Sequence, residues 1–433
     1  MKEVFILMQR LQGKSLLLVG FTLFSMFFGA GNLIFPPYLG AQAGAHFWFA
    51  FAGFAVSAVF LPVLGVVAAT QAGGLTQLAS RVHPVFAQVF TVLVYLSIGP
   101  CLAIPRTAST SFEMLSPLLG SSCGLQLAYS AVFFLAAFLV ALQPERLTAR
   151  LGRVLCPALL ILILVLFSGC LLDPVAPHYA PAVGNYQSLP AAQGMLDGYQ
   201  TMDALAGLNF GAVLALNIRA LGITEEKEVQ RGAKQAGWLT AGLLLAVYGM
   251  LGHIGALTGS AYPQCSTGAQ TLTVLAQALF GHSGQVLLAS IFLIACFNTC
   301  VGLLASVSDY FHKLCPFLPY PALAAFFAVV SMLISNLGLA SIIRLSTPIL
   351  NALYPVAILL ILLPLIPGLR HRRAVYQWSI AFAAVQSTAA ALPLGPLSAL
   401  AQRLPLSSLG FGWLLPAALG LSAGLLLDLF RQK

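Results

Sequence analysis

Sixty-six consecutive residues, Ser15 to Ser80, contain no Asp, Glu, Lys or Arg, and Gln235 to Ser308 supplies another 74. Over the whole 433 residues only 7% are charged and 59% are hydrophobic, whereas soluble domains carry roughly 25% charged residues. A chain so poor in charge cannot cover a water-facing surface. That excludes most soluble enzymes, disordered chains and collagen-like fibres. It predicts an all-α polytopic membrane protein whose first partner is the lipid bilayer. The net charge of +9 does not point to nucleic acid, because the basic residues fall in small groups with no basic run interleaved with aromatics.

A helix needs about 20 mostly apolar residues to cross the hydrocarbon core. Apolar runs near 16–40, 46–70, 84–108, 126–142, 154–172, 193–218, 235–258, 284–308, 318–335, 340–366, 374–393 and 409–427 predict twelve transmembrane helices. A shorter apolar piece at 268–280 reads as an external or re-entrant helix. The start, with Lys2, Arg10 and Lys14 before an apolar run, reads as an uncleaved signal anchor. With the N-terminus inside, 17 of the 20 basic residues fall in cytoplasmic segments. They include Arg81, Arg146, Arg150, Arg153, Arg219, Lys313, Arg370, Arg431 and Lys433. This positive-inside bias predicts both termini in the cytoplasm.

Several residues break the rules of a lipid-facing helix. The first span reads Phe27-Phe28-Gly29-Ala30-Gly31-Asn32-Leu33-Ile34-Phe35-Pro36-Pro37. Glycine weakens a helix, and proline removes an amide donor and clashes with the preceding turn. The run has two readings: a proline kink with close packing through small residues, or a helix broken near the midplane. Backbone groups freed by such a break need partners in protein or in a water-lined cavity. The sixth span holds Asp203, then Leu205, Gly207, Leu208, Phe210 and Gly211. Its GxxxG pair is equally a packing face, but a carboxylate inside a span points to function or a partner. Paired interruptions in the first and sixth of ten spans fit a five-plus-five inverted repeat and a transport site.

In the eighth span Ala295, Asn298 and Thr299 share one helix face. Their hard oxygens suit a small cation such as sodium, and they equally suit hydrogen bonds between helices. Arg106 lies late in the third span and Glu113 seven residues on, so both can face one side, as an external gate or a structural ion pair. Arg344 is expected to snorkel outward from the tenth span, and His253 to be a hydrogen-bonded interior residue. Gly120-Ser121-Ser122-Cys123-Gly124 fits G-x-S-x-G without the strand a nucleophile elbow needs. No zinc-protease or phosphate-loop motif occurs. No catalytic residue, enzymatic activity or cofactor is therefore expected, and nothing specifies an oligomer.

Phe28-Gly-Ala-Gly-Asn-Leu-Ile-Phe-Pro-Pro37 resembles the signature of the bacterial branched-chain amino acid:cation symporters, the BrnQ-type carriers. So do Gly99-Pro100 with Pro105-Arg106-Thr107, Gly198-Tyr199-Gln200-Thr201-Met202-Asp203, and Ser335-Asn336-Leu337-Gly338-Leu339. The resemblance implies a single LeuT-like domain, with 15–172 and 193–366 as inverted repeats and 374–427 as two extra helices. It also implies uptake of leucine, isoleucine and valine, driven by sodium or protons. Matching Gly29-Ala30-Gly31-Asn32 to the superfamily pattern gives amides of Phe27, Ala30 and Gly31 for the substrate carboxylate. The same match puts carbonyls of Ser25 and Phe28 at a sodium site, opposite Ala295, Asn298 and Thr299. Family members more usually show an apolar residue or Thr where Asn298 stands. Phe27, Leu205, Leu208 and Phe210 are candidates for the side-chain slot. A channel or an amino-acid receptor without coupled flux is the alternative reading.

Overall fold

The computed structural model describes residues 11–142, 144–370, 372–392 and 395–431, and every regular element among them is helical. Lys2, Arg10 and Lys433, and the side chains of Arg146, Arg150, Arg153 and Arg431, lie outside the described residues. Each of the twelve predicted spans coincides with helix. By length and composition six helices can cross a membrane, or eight when two bent pairs each count as one span. Shorter apolar helices, Gly13–Phe27, Pro157–Leu172, Tyr320–Ser335 and Leu414–Phe430, occupy the remaining predicted positions.

The apolar helix Ala30–Ala72 covers 43 residues. At 1.5 Å per residue it would be about 64 Å long, twice the thickness of a hydrocarbon core, so it has to turn back. It does so at Gly44, whose φ of 47° and close approach to the Ala180 carbonyl exclude a side chain. The seventh span, Glu226–Ala261, records the reversal through its glycines. Gly255 lies against Pro37 and Gly259 against Ala41, so the first span runs parallel to the seventh. Gly252 lies against Phe47, Gly249 against Phe51 and Gly237 against Val63, so the second runs antiparallel to it.

The sixth span follows the second in the same way. Ala50 meets Gly194, Pro62 meets Gly207 and Val66 meets Gly211, in the same order along both spans. The first and sixth spans therefore run in opposite directions, and both lie in one block with the second and seventh. Close backbone approach through small residues holds such helices together where lipid supplies no hydrophobic drive.

The remaining helices complete the bundle. The third span pauses at Ser97–Cys101, where Gly99 leaves helical geometry before Pro100, and resumes as Ala103–Leu119. The eighth belongs to Gly268–Leu314, whose 47 residues bend at Gly281 (φ 62°). The predicted short helix at 268–280 is thus its first arm. The tenth span is Leu339–Leu362. The eleventh and twelfth pack antiparallel, with Gly420 on Ser379 and Gly424 on Val375.

Candidate substrate and ion site at two broken helices

The first span is two helices, Gly13–Phe27 and Ala30–Ala43. Phe28 and Gly29 leave the helical region (ψ 87° and −167°). The Gly29 N–H donates to Asn32 Oδ1 (3.3 Å) instead of continuing the ladder toward Ser25. The break exposes carbonyls at the end of one half-helix and amides at the start of the next. The sixth span is also two helices, Pro190–Tyr199 and Asp203–Ala220, bent by 49°. Gln200, Thr201 and Met202 form a turn between them, with Met202 left-handed (φ 62°).

One polar cluster joins the two breaks. Asn32 Nδ2 donates to Asp203 Oδ2 and to the Tyr248 hydroxyl, and that hydroxyl donates to the same carboxylate oxygen (3.2 Å). All three side chains are buried. Asn32 spends both ends of its amide on the breaks, so it is a strut between them, with no atom left over for a ligand. Asp203 sits in the first turn of its half-helix, where the helix dipole favours negative charge.

Arg106 reaches the same place from the third span. Its Nη1 donates to the Gln200 carbonyl (2.7 Å) and its guanidinium covers the Phe35 ring (5.1 Å). Its Nη2 stands over Gly31, 2.8 Å from where a β-carbon would be. Glu113, two turns on, does not meet it; Glu113 Oε1 instead accepts from Thr267 Oγ1 (2.6 Å), ahead of the eighth span. The expected Arg106–Glu113 pair is therefore corrected. Seven residues of helix separate them by about 10 Å along the axis, enough for each to find a different partner.

The remaining candidates divide. The rings of Phe27 and Phe210 meet edge to face at 5.2 Å, joining the two spans beside the breaks. Phe27 ends its half-helix, so its amide stays inside the ladder and is not free as the resemblance implied. Gly207 does not open toward a slot: a β-carbon there would lie 2.5 Å from the Pro62 carbonyl, which makes it a packing glycine. Leu205 and Leu208 are fully buried, in a cluster of side chains distinct from the one holding Phe27.

On the eighth span, Thr299 lies within 3.3 Å of where a β-carbon of Gly29 would be, so this face meets the first break. Thr299 Oγ1 donates to the Ala295 carbonyl (3.1 Å), and Asn298 Oδ1 is buried without a hydrogen-bond partner. With the free carbonyl ends at Ser25 and Phe28, this is a set of hard oxygens suited to a small cation.

A cavity of about 450 Å³ lies beside the sixth break, lined by Phe35, Tyr38, Asp197, Gln200, Thr267, Arg344 and Thr347 among others. Its lining includes Phe35 and Gln200, both of which Arg106 contacts. The Gln200 side chain ties the sixth break to the tenth span, through Thr347 Oγ1 and Ser346 Oγ (both 2.8 Å). His253 pairs with the Tyr179 hydroxyl (2.6 Å), and Ser122 caps a helix by accepting from Leu125 N–H. Tyr248 and Gln200 were not singled out from sequence. A lone tyrosine in the apolar seventh span, and a glutamine three residues before Asp203, are the signals that mark them.

A family model described as branched-chain amino acid transport protein matches residues 12–431. The chain belongs to that family. It is 38% identical over 428 residues to the branched-chain amino acid permease BraB of Bacillus subtilis, covering 96% of each. It is 39% identical over 433 residues to the branched-chain amino acid transport system 2 carrier protein of Pseudomonas aeruginosa, covering 98% of this chain and 99% of that one. These relatives are transporters, and the chain is a transport protein rather than an enzyme. Among solved structures it is similar to Mhp1, a nucleobase-cation-symport-1 family transporter, at a TM-score of 0.62 and 14% identity over 93% of this chain and 91% of that one. It is similar to MhsT in complex with L-phenylalanine at 0.52 and 15%, over 95% and 99%. The fold is LeuT-like.

Proposed function

We propose that the chain is a secondary active symporter that imports leucine, isoleucine and valine by alternating access, driven by a sodium or proton gradient. The observation that carries this reading is the union of two oppositely directed broken helices through Asn32, Asp203 and Tyr248, in a chain of the branched-chain amino acid transport family. The half-helix starting at Ala30 offers free amides and partial positive charge to a carboxylate. Asp203 supplies the opposite charge for an ammonium group. Phe27 and Phe210 supply apolar surface for a side chain. One methylene in such a slot changes affinity by only about 1–3 kcal/mol, so the three branched substrates share the carrier.

The cation occupies the face between Gly29 and Thr299, with oxygens from Ser25, Phe28, Ala295, Asn298 and Thr299. The first five and next five spans act as the inverted repeats, residues 374–427 as two added helices, and both termini lie in the cytoplasm. Labelled leucine uptake into proteoliposomes, with sodium and proton gradients imposed separately, tests the reading. Accumulation against a leucine gradient under one of them is expected, and its failure under both contradicts it.

A further inference from the structure

Arg106 is 3% exposed, deep between the two breaks. Burying a guanidinium is costly unless opposite charge and hydrogen bonds compensate. Yet among the described residues no carboxylate comes within ion-pair distance of it. The bond from Nη1 to the Gln200 carbonyl is the one hydrogen bond its guanidinium makes there, and Nε is buried with no partner at all. A guanidinium carries five N–H donors in a planar fork shaped for a carboxylate. This one lies over the Phe35 ring, and its Nη2 stands beside Gly31, in the first turn of the half-helix that begins at Ala30. Unspent donors and a positive helix end thus converge on one point.

Across the same polar cluster stands Asp203, fixed by Asn32 and Tyr248 and outside ion-pair distance of Arg106. A buried guanidinium and a buried carboxyl, each held by neutral partners and not paired with each other, match the two ends of a zwitterion. We infer that Arg106 binds the α-carboxylate of the transported amino acid, together with the Ala30 and Gly31 amides, while Asp203 faces the α-ammonium group. This rests on the symport reading above and deepens it. Arg106 then holds the sixth break through Gln200 and the substrate through its free edge, so it reports substrate binding to both broken helices.

The test compares ligands that differ only in the group Arg106 would hold. Binding of L-leucine and of L-leucinol, which keeps the ammonium and side chain but lacks the carboxylate, is measured on purified protein in detergent. Wild type should prefer leucine by at least about 100-fold. In Arg106→Gln that ratio should collapse to within a few-fold of one. Arg106→Lys keeps the charge but loses the fork, and should give a ratio about tenfold below wild type. If leucine and leucinol lose affinity by the same factor in both variants, Arg106 only pins the helices and the inference is overturned. Should Arg106→Gln fail to fold, the lysine variant decides alone: an unchanged ratio overturns the inference. A wild type that binds no branched-chain amino acid overturns the symport reading, and this assignment with it, which is distinguishable from an unchanged ratio.

Discussion

The two breaks do the same work by different means. In the first, Phe28 and Gly29 unwind without any left-handed residue, and the freed amide is taken by Asn32 of the same segment. The sixth has no glycine at its turn. Met202 is forced left-handed, and the segment is held from outside, its Gln200 carbonyl by Arg106 and its Gln200 side chain by the tenth span. A left-handed residue other than glycine carries about 1–2 kcal/mol of strain, which persists only where surroundings over-determine it. The first break is thus a property of its own sequence, and the sixth is a property of its neighbours.

Substitutions at four positions press on that difference. Asn32→Asp has the largest expected effect. It places a second carboxylate against Asp203 in a buried site, an arrangement worth several kcal/mol. Leucine uptake in proteoliposomes should fall more than about 100-fold, with a lowered melting temperature; near-normal uptake would refute the strut. Next is Gly31→Val, whose β-carbon would stand 2.8 Å from Arg106 Nη2. Displacing the guanidinium should weaken leucine binding by roughly 30-fold, about 2 kcal/mol, and unaltered affinity would remove Arg106 from this surface.

Thr299→Ala touches the first break alone. It should raise the ion concentration for half-maximal uptake about tenfold, the loss of one charge-assisted contact, while leaving the relative uptake of leucine, isoleucine and valine in place. An unchanged ion dependence contradicts the cation face. The smallest effect separates the breaks most cleanly. Both Met202→Ala and Met202→Gly delete a buried side chain, but only glycine relieves the left-handed backbone. The glycine variant should melt as the more stable of the two, by about 1 kcal/mol. The opposite order, usual within helices, would show that the turn is unstrained.

This asymmetry also explains how much was legible beforehand. Gly29, Gly31 and the two prolines have a backbone meaning wherever they occur, so the first break could be read from its own residues. Asp203 marked the sixth span because a carboxylate in lipid needs a reason. What could not be read were partners supplied from afar. Arg106 finds Gln200 across 94 residues and Glu113 finds Thr267 across 154, whereas helical spacing speaks only of a shared face. Gly207 was ambiguous for the same reason: a small residue permits close approach, and only the neighbouring Pro62 decides what approaches.

The link from Asn32 to Asp203 spans 171 residues, and that to Tyr248 spans 216. A chain emerges from the ribosome in order, so the first span enters the bilayer long before either partner has been made. An unsatisfied polar group in hydrocarbon costs several kcal/mol. The broken first span is therefore a burden during synthesis, and it has to stay sheltered, at the insertion machinery or against the second span, until the seventh arrives. Biogenesis of this carrier is thus gated by the polar cluster that joins its two breaks.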